Sequence, residues 1–146
     1  MAFDRAQLEN HIKRAEASQG EAVLFPYEDS VGLITIGWGR NLDSKGISLK
    51  EAQFLFDNDF HDALQDAAGL PYWEQLCGAR QMVVVDMVFN LGLTRFLKFP
   101  KLNAALAAGD ILRVAHEMKD SKWYTQVGSR ARKLRQIMLT GVWENA

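Results

Sequence analysis

Four polar residues in the first quarter of the chain, Glu16, Glu21, Asp29 and Thr35, are candidates for chemistry, and the carboxylates among them suit acid/base work. Two carboxylates in different surroundings fit the cleavage of a glycosidic bond. The leaving oxygen needs a proton, while the second carboxylate activates water or attacks the sugar directly. Glu16 falls on the Leu8, Ile12 and Ala15 side of its helix, so partial burial is expected to keep it protonated as the acid. Asp29, on a turn rich in hydrogen-bond donors, is expected to stay ionised. A Glu near a helix end and an Asp in a turn are each ordinary, so position alone does not decide the chemistry.

These side chains need elements to hold them. Asp4 and Gln7 form a capping-box pattern ahead of a helical stripe, which predicts a helix from about Asp4 to Gln19 with Gly20 as its stop. From Val23 to Leu42, β-branched and aromatic residues punctuated by Gly32, Gly37 and Gly39 predict a small antiparallel sheet. Asp29-Ser30-Val31-Gly32 supplies the turn between two of its strands. After Gly46 the pattern is helical. Ser48 and Glu51 form a second capping box, and Ala52, Phe56, Phe60, Ala63 and Ala67 line one face of a long helix ending near Gly69. Ala79 to Leu91 is apolar at nearly every position, as expected of a helix surrounded on all sides. Further helices are predicted over about 100–108, 110–119 and 128–141.

The fold class is therefore α+β, a small antiparallel β-sheet lobe plus a larger all-helical lobe joined by a long helix. The 146 residues are read as a single domain. Its β-containing lobe covers about 16–47, its linking helix about 48–68 and its helical lobe about 70–146, with the N-terminal helix packed on the helical lobe. With 17 Lys and Arg against 18 Asp and Glu, the net charge of −1 removes the global electrostatic case for a nucleic-acid binder. One cysteine, Cys77, excludes an internal disulfide, and His11, His61 and His116 lack ligand spacing, so no metal and no cofactor is expected. No stretch is apolar enough for stable membrane insertion, and the polar N-terminus carries no export signal, so synthesis in the cytoplasm is expected.

The segment Tyr27-Glu-Asp29-Ser-Val-Gly-Leu-Ile-Thr35-Ile-Gly37-Trp-Gly39-Arg40-Asn-Leu resembles the signature hairpin of the phage-type lysozymes, glycoside hydrolase family twenty-four. Five residues separate Asp29 from Thr35, as in that family. The resemblance resumes at Met87-Val-Phe89-Asn90-Leu-Gly92, at Ser121-Lys-Trp123-Tyr-Thr-Gln126-Val-Gly-Ser-Arg130-Ala-Arg132, and at Thr140-Gly141-Val-Trp143, so it spans nearly the whole chain. It implies a lysozyme-like fold. It also implies that a Glu at the end of the first helix is the general acid, that Asp29 is the base or electrostatic stabiliser, and that Thr35 orients the attacking water. Inversion at the anomeric carbon follows, with carboxyls roughly 6.5–9.5 Å apart to leave room for that water.

The chain departs from the family pattern at the acid. Glu16 fits the helix motif but stands farther from Tyr27 than the family's Glu does, by about one helical turn. Glu21 has nearer the expected spacing but lies beyond Gly20. Pattern and helix face favour Glu16, with Glu21 the alternative. Arg130 matches the family's arginine that pairs with the acid, and Asn90 and Gln126 match amides that bind the N-acetyl groups of a saccharide. Trp123 is read as core between the lobes, and Arg40, where relatives carry a histidine, as an ion-pairing residue. Asp86, inside the most apolar helix, should have an Arg or backbone donor as partner.

The activity implied is that of a muramidase acting on the glycan strands of bacterial peptidoglycan. The protein would be a monomeric endolysin that accumulates in the host cytoplasm and reaches the wall after a holin permeabilises the membrane. A catalytically silent glycan-binding homologue and a lytic transglycosylase are the alternatives.

Overall fold

Asp4 caps the first helix, α1 (Arg5–Glu16), by accepting a hydrogen bond from the Gln7 amide through its side chain. The computed structural model describes residues 2–17 and 20–144. The helix ends at Glu16 because Ala17 turns extended, its N–H still donating to the Lys13 carbonyl, and Ala17 is buried. That end comes three residues before the one expected, and Gln19 lies outside the described residues. The stripe of Leu8 and Ile12 on α1 is exposed.

The sheet is three-stranded and antiparallel in the order β1-β2-β3, with β1 (Val23–Glu28), β2 (Ile34–Gly37) and β3 (Arg40–Asn41). Tyr27 pairs with Thr35, and Thr35 with Asn41, so Thr35 sits on the central strand. A short helix that the hydrophobic pattern does not announce, α2 (Leu42–Lys45), follows directly, and the Asn41 side chain caps it by accepting from the Ser44 amide. Its Asp43 accepts the Ile34 N–H at 2.7 Å, which ties α2 to the first residue of β2.

The long helix α3 (Leu49–Ala68) opens on the capping box read from the sequence. The Glu51 amide donates to Ser48 Oγ at 3.1 Å, and the Ser48 amide donates to Glu51 Oε1 at 3.0 Å. Arg40 holds the same carboxylate in a two-pronged ion pair, Nη1 to Oε1 at 3.0 Å and Nη2 to Oε2 at 2.7 Å, while also donating to the Gly46 carbonyl. The ion-pairing role expected of Arg40 is therefore seen, with Glu51 as its partner.

The Arg40 hydrogen bond, helped by those from Ser48, lowers the Glu51 pKa from 4.5 to about 2. The unfolded chain binds this proton more readily, so the pair stabilises the fold above pH 4.5 and loses that contribution as the pH falls toward 2. Glu51→Gln keeps a capping-box side chain but cannot ionise. Thermal melts across that window should show the wild-type protein losing stability more steeply than the variant. Parallel curves would remove Arg40–Glu51 as an acid-sensitive contact.

Two compact units divide inside α3, one running to Gln53 and the other from Phe54 onward. The second unit contains the rest of α3, then α4 (Gly78–Leu91), α5 (Leu93–Phe96), α6 (Pro100–Ala108), α7 (Ile111–Lys119), α8 (Lys122–Val127) and α9 (Ser129–Thr140). Its core centres on α4, whose Val83, Val84 and Val88 pack with Phe96, Leu106, Met118 and Met138. α4 is not enclosed on every side, however: Met82 and Phe89 are exposed. They line an apolar hollow of about 610 Å³ with Phe56, Phe60 and Leu64 of α3, so only Ala63 and Ala67 of the α3 stripe are buried. Tyr72 is buried and donates to Asn103 Oδ1 at 2.6 Å, while Asn103 donates to the Phe96 and Phe99 carbonyls. Burial pushes the Tyr72 hydroxyl well above its ordinary pKa. Among the described residues, no helix is long and apolar enough to cross a membrane.

Candidate active site

The turn after β1 is built by Asp29. Its Oδ1 accepts the Val31 and Leu33 N–H groups, both at 2.9 Å, and its own N–H donates to the Leu33 carbonyl at 2.9 Å. Two convergent donors on one oxygen fix the plane of the carboxylate, and the turn makes no demand on Oδ2. Gly32 completes the turn at φ +84°, a conformation that side chains resist.

Leu33 also connects Asp29 to Thr35. Its carbonyl, which accepts the Asp29 N–H, accepts the Thr35 hydroxyl at 3.0 Å as well. Thr35 is the buried polar residue of the described set, 4% exposed. Its hydroxyl proton is committed to the backbone, so the oxygen is left to act as an acceptor. An oxygen in that state can hold a water by one of its hydrogens. The base candidate and the water-holding candidate are thus anchored on one peptide unit.

Glu16 approaches the same sheet from α1, at the other end of β2. Its carboxylate lies against Gly39, in the turn between β2 and β3, so closely that a Cβ at position 39 would collide with Oε2. Glu16 is exposed, contrary to the partial burial expected from its helix face. The reason is that the face itself is open: no residue of α1 is buried. Glu21 is exposed in the link between Gly20 and β1. The first unit therefore holds all three groups on one three-stranded sheet, Asp29 and Thr35 about its β1–β2 turn and Glu16 against its β2–β3 turn.

The remaining candidates lie in the second unit. Asn90 is exposed near the end of α4, and its Oδ1 accepts the Trp123 indole N–H at 3.0 Å. Trp123 is buried in the core of that unit. Gln126 is exposed on α8. Arg130, at the start of α9, donates through Nε and Nη2 to Asp86 Oδ1 at 2.9 and 2.7 Å. Asp86 thus has the Arg partner its apolar helix demands. Sequence reasoning missed two residues that shape the site. One is Trp38, whose neighbour Gly39 faces Glu16, and the other is Asp43, which caps the start of β2. Neither contact has a local sequence signal, since each joins residues nine or more positions apart.

A mostly helical α+β protein, with a three-stranded antiparallel sheet that carries the Asp and Thr candidates and is met at another turn by a helix-end Glu, has the architecture of the lysozyme class. The sequence pattern of the family described as phage lysozyme matches residues 16–137, and the chain belongs to that family. The pre-baseplate central spike protein Gp5 of Enterobacteria phage T4 is 33% identical over 103 residues, covering 68% of this chain and 18% of that protein. Probable T4-type lysozyme 1 of Dictyostelium discoideum is 27% identical over 113 residues, covering 73% of this chain and 66% of that protein. Probable T4-type lysozyme 2 of the same organism is 28% identical over the same length, with the same shares covered. The chain thus spans less than two thirds of each of these relatives.

Proposed function

We propose that the protein is a muramidase that hydrolyses the β-1,4 bond between N-acetylmuramic acid and N-acetylglucosamine in bacterial peptidoglycan. Glu16 protonates the leaving oxygen. Asp29 acts as the base or stabilises the charge on the sugar, and the Thr35 oxygen holds the attacking water between Asp29 and the anomeric carbon. Attack by a held water, without a covalent sugar intermediate, inverts the configuration. Asn90 and Gln126 bind N-acetyl groups, and Arg130 contributes a cation to the same substrate. No cofactor takes part. In its biological setting the protein is a monomeric endolysin, made in the host cytoplasm and released to the wall by a holin.

The observation that supports this reading most is the three-stranded sheet that carries all three groups, two about its β1–β2 turn and one against its β2–β3 turn. Asp29 and Thr35 share the Leu33 peptide, and Glu16 rests on Gly39. Membership of the phage lysozyme family supports peptidoglycan as the substrate class.

Digestion of purified peptidoglycan, followed by mass spectrometry of the released saccharides, tests the reaction. Reducing muramic ends that have gained one water are expected. Anhydromuramyl ends would replace the hydrolase by a transglycosylase, and binding without any release would replace it by a silent glycan-binding module.

A further inference from the structure

The helix end that carries Glu16 is gripped by two consecutive residues of the β2–β3 turn. Trp38 donates its indole N–H to the Gly20 carbonyl at 2.9 Å, and the Lys13 ammonium stands over its ring, 4.4 Å from the centroid. Lys13 is one turn before Glu16 on the same helix face, so Trp38 holds the chain on both sides of the acid. The Gly20 N–H in turn donates to the Ala17 carbonyl at 3.0 Å. Next to Trp38, Gly39 leaves the space that the Glu16 carboxylate occupies.

Backbone conformation alone does not account for Gly39. Gly37 and Gly39 both have positive φ, +71° and +80°, so a side chain is strained at either. At Gly37 an added Cβ meets nothing within 4 Å, whereas at Gly39 it meets the Glu16 carboxyl group. The colliding atoms are the far end of a flexible side chain, so the exposed Glu16 would swing away and the fold would tolerate the change. Such a displacement alters where a proton is delivered and leaves stability almost untouched.

We propose that Gly39 and Trp38 are positioning residues for the general acid: Gly39 provides the seat for its carboxylate, and Trp38 fastens the helix end that carries it. The inference rests on the reading of Glu16 as the acid. It also accounts for how a link longer than the family pattern can still deliver that acid, since the Trp38 indole secures the link at Gly20.

The test compares Gly39→Ala with Gly37→Ala on soluble glycan strands, with melting temperatures measured alongside. Both variants should lose stability alike through the shared strain. Misplacing the acid should lower kcat of Gly39→Ala by about 100-fold with KM unchanged, while Gly37→Ala stays within about threefold of wild type. A kcat for Gly39→Ala within about threefold of Gly37→Ala overturns the proposal. Should Gly39→Ala not fold, Trp38→Ala at a half-exposed site carries the test, with an expected kcat loss of about tenfold at constant KM. An unchanged kcat, or a loss confined to KM as for a Trp that merely stacks on sugar, then overturns it. Glu16→Gln in the same assay separates the two levels. If it retains turnover, the acid assignment falls and takes this inference with it. If it is inactive while Gly39→Ala matches Gly37→Ala, only the inference falls.

Discussion

Glu16→Gln should lose at least about 100-fold in turnover on peptidoglycan, the usual contribution of a general acid, while Glu21→Gln stays within about threefold of wild type. Glutamine has the shape of glutamic acid and fits the same seat against Gly39, so the substitution removes the transferable proton and little else. An exposed side chain contributes little to stability, and the melting temperatures of both variants should match wild type within about 2 °C. Initial rates of reducing-end release measure the effect. The reverse pattern, with Glu21→Gln inactive and Glu16→Gln active, would move the acid to the far side of Gly20 and leave the enzyme class standing. Equal activity in both variants would remove the acid from this helix end altogether.

The difference between local and long-range information explains which parts of the site could be read from the sequence. The Asp4 cap, the Ser48–Glu51 capping box and the Asp29 turn were legible because each closes within four residues, so residue type and spacing carry the whole signal. The Asp86 partner was legible as a type, since a carboxylate among Val83, Val84 and Val88 demands a donor, although the choice of Arg130 depends on where α9 packs. The short helices α2, α5 and α8 were not legible: four to six residues are too few to display a 3.6-residue period. Exposure was the least legible property. The stripe on α1 predicts a buried face, yet amphipathicity states only which side of a helix would be buried if a partner covered it. The same reason leaves Phe56 and Phe60 of α3 exposed beside Met82 and Phe89. The seat for Glu16 was illegible in a different way. Gly39 appears in the sequence as a turn glycine like Gly37, and only the fold shows that the absent Cβ makes room for a carboxylate.

Asp29→Asn should separate the two functions of that side chain. Asparagine keeps a carbonyl oxygen where Asp29 Oδ1 now accepts the Val31 and Leu33 N–H groups, so the turn should persist and the melting temperature should stay within about 3 °C. What is lost is the negative charge, and with it the ability to take a proton from water or to stabilise positive charge on the sugar. Turnover should fall by about 100- to 10,000-fold on that account alone. Asp29→Ala provides the contrast. It removes the charge and both accepted hydrogen bonds, each contributing about 0.5–1.5 kcal/mol, so it should match Asp29→Asn in rate but fall clearly below it in stability. The pairing matters because Leu33 links Asp29 to Thr35, and an alanine that loosens the turn also loosens the hydroxyl that holds the water. Should Asp29→Asn retain turnover within about tenfold of wild type while Asp29→Ala is inactive, the role of Asp29 reduces to building the turn, and the base must be sought elsewhere.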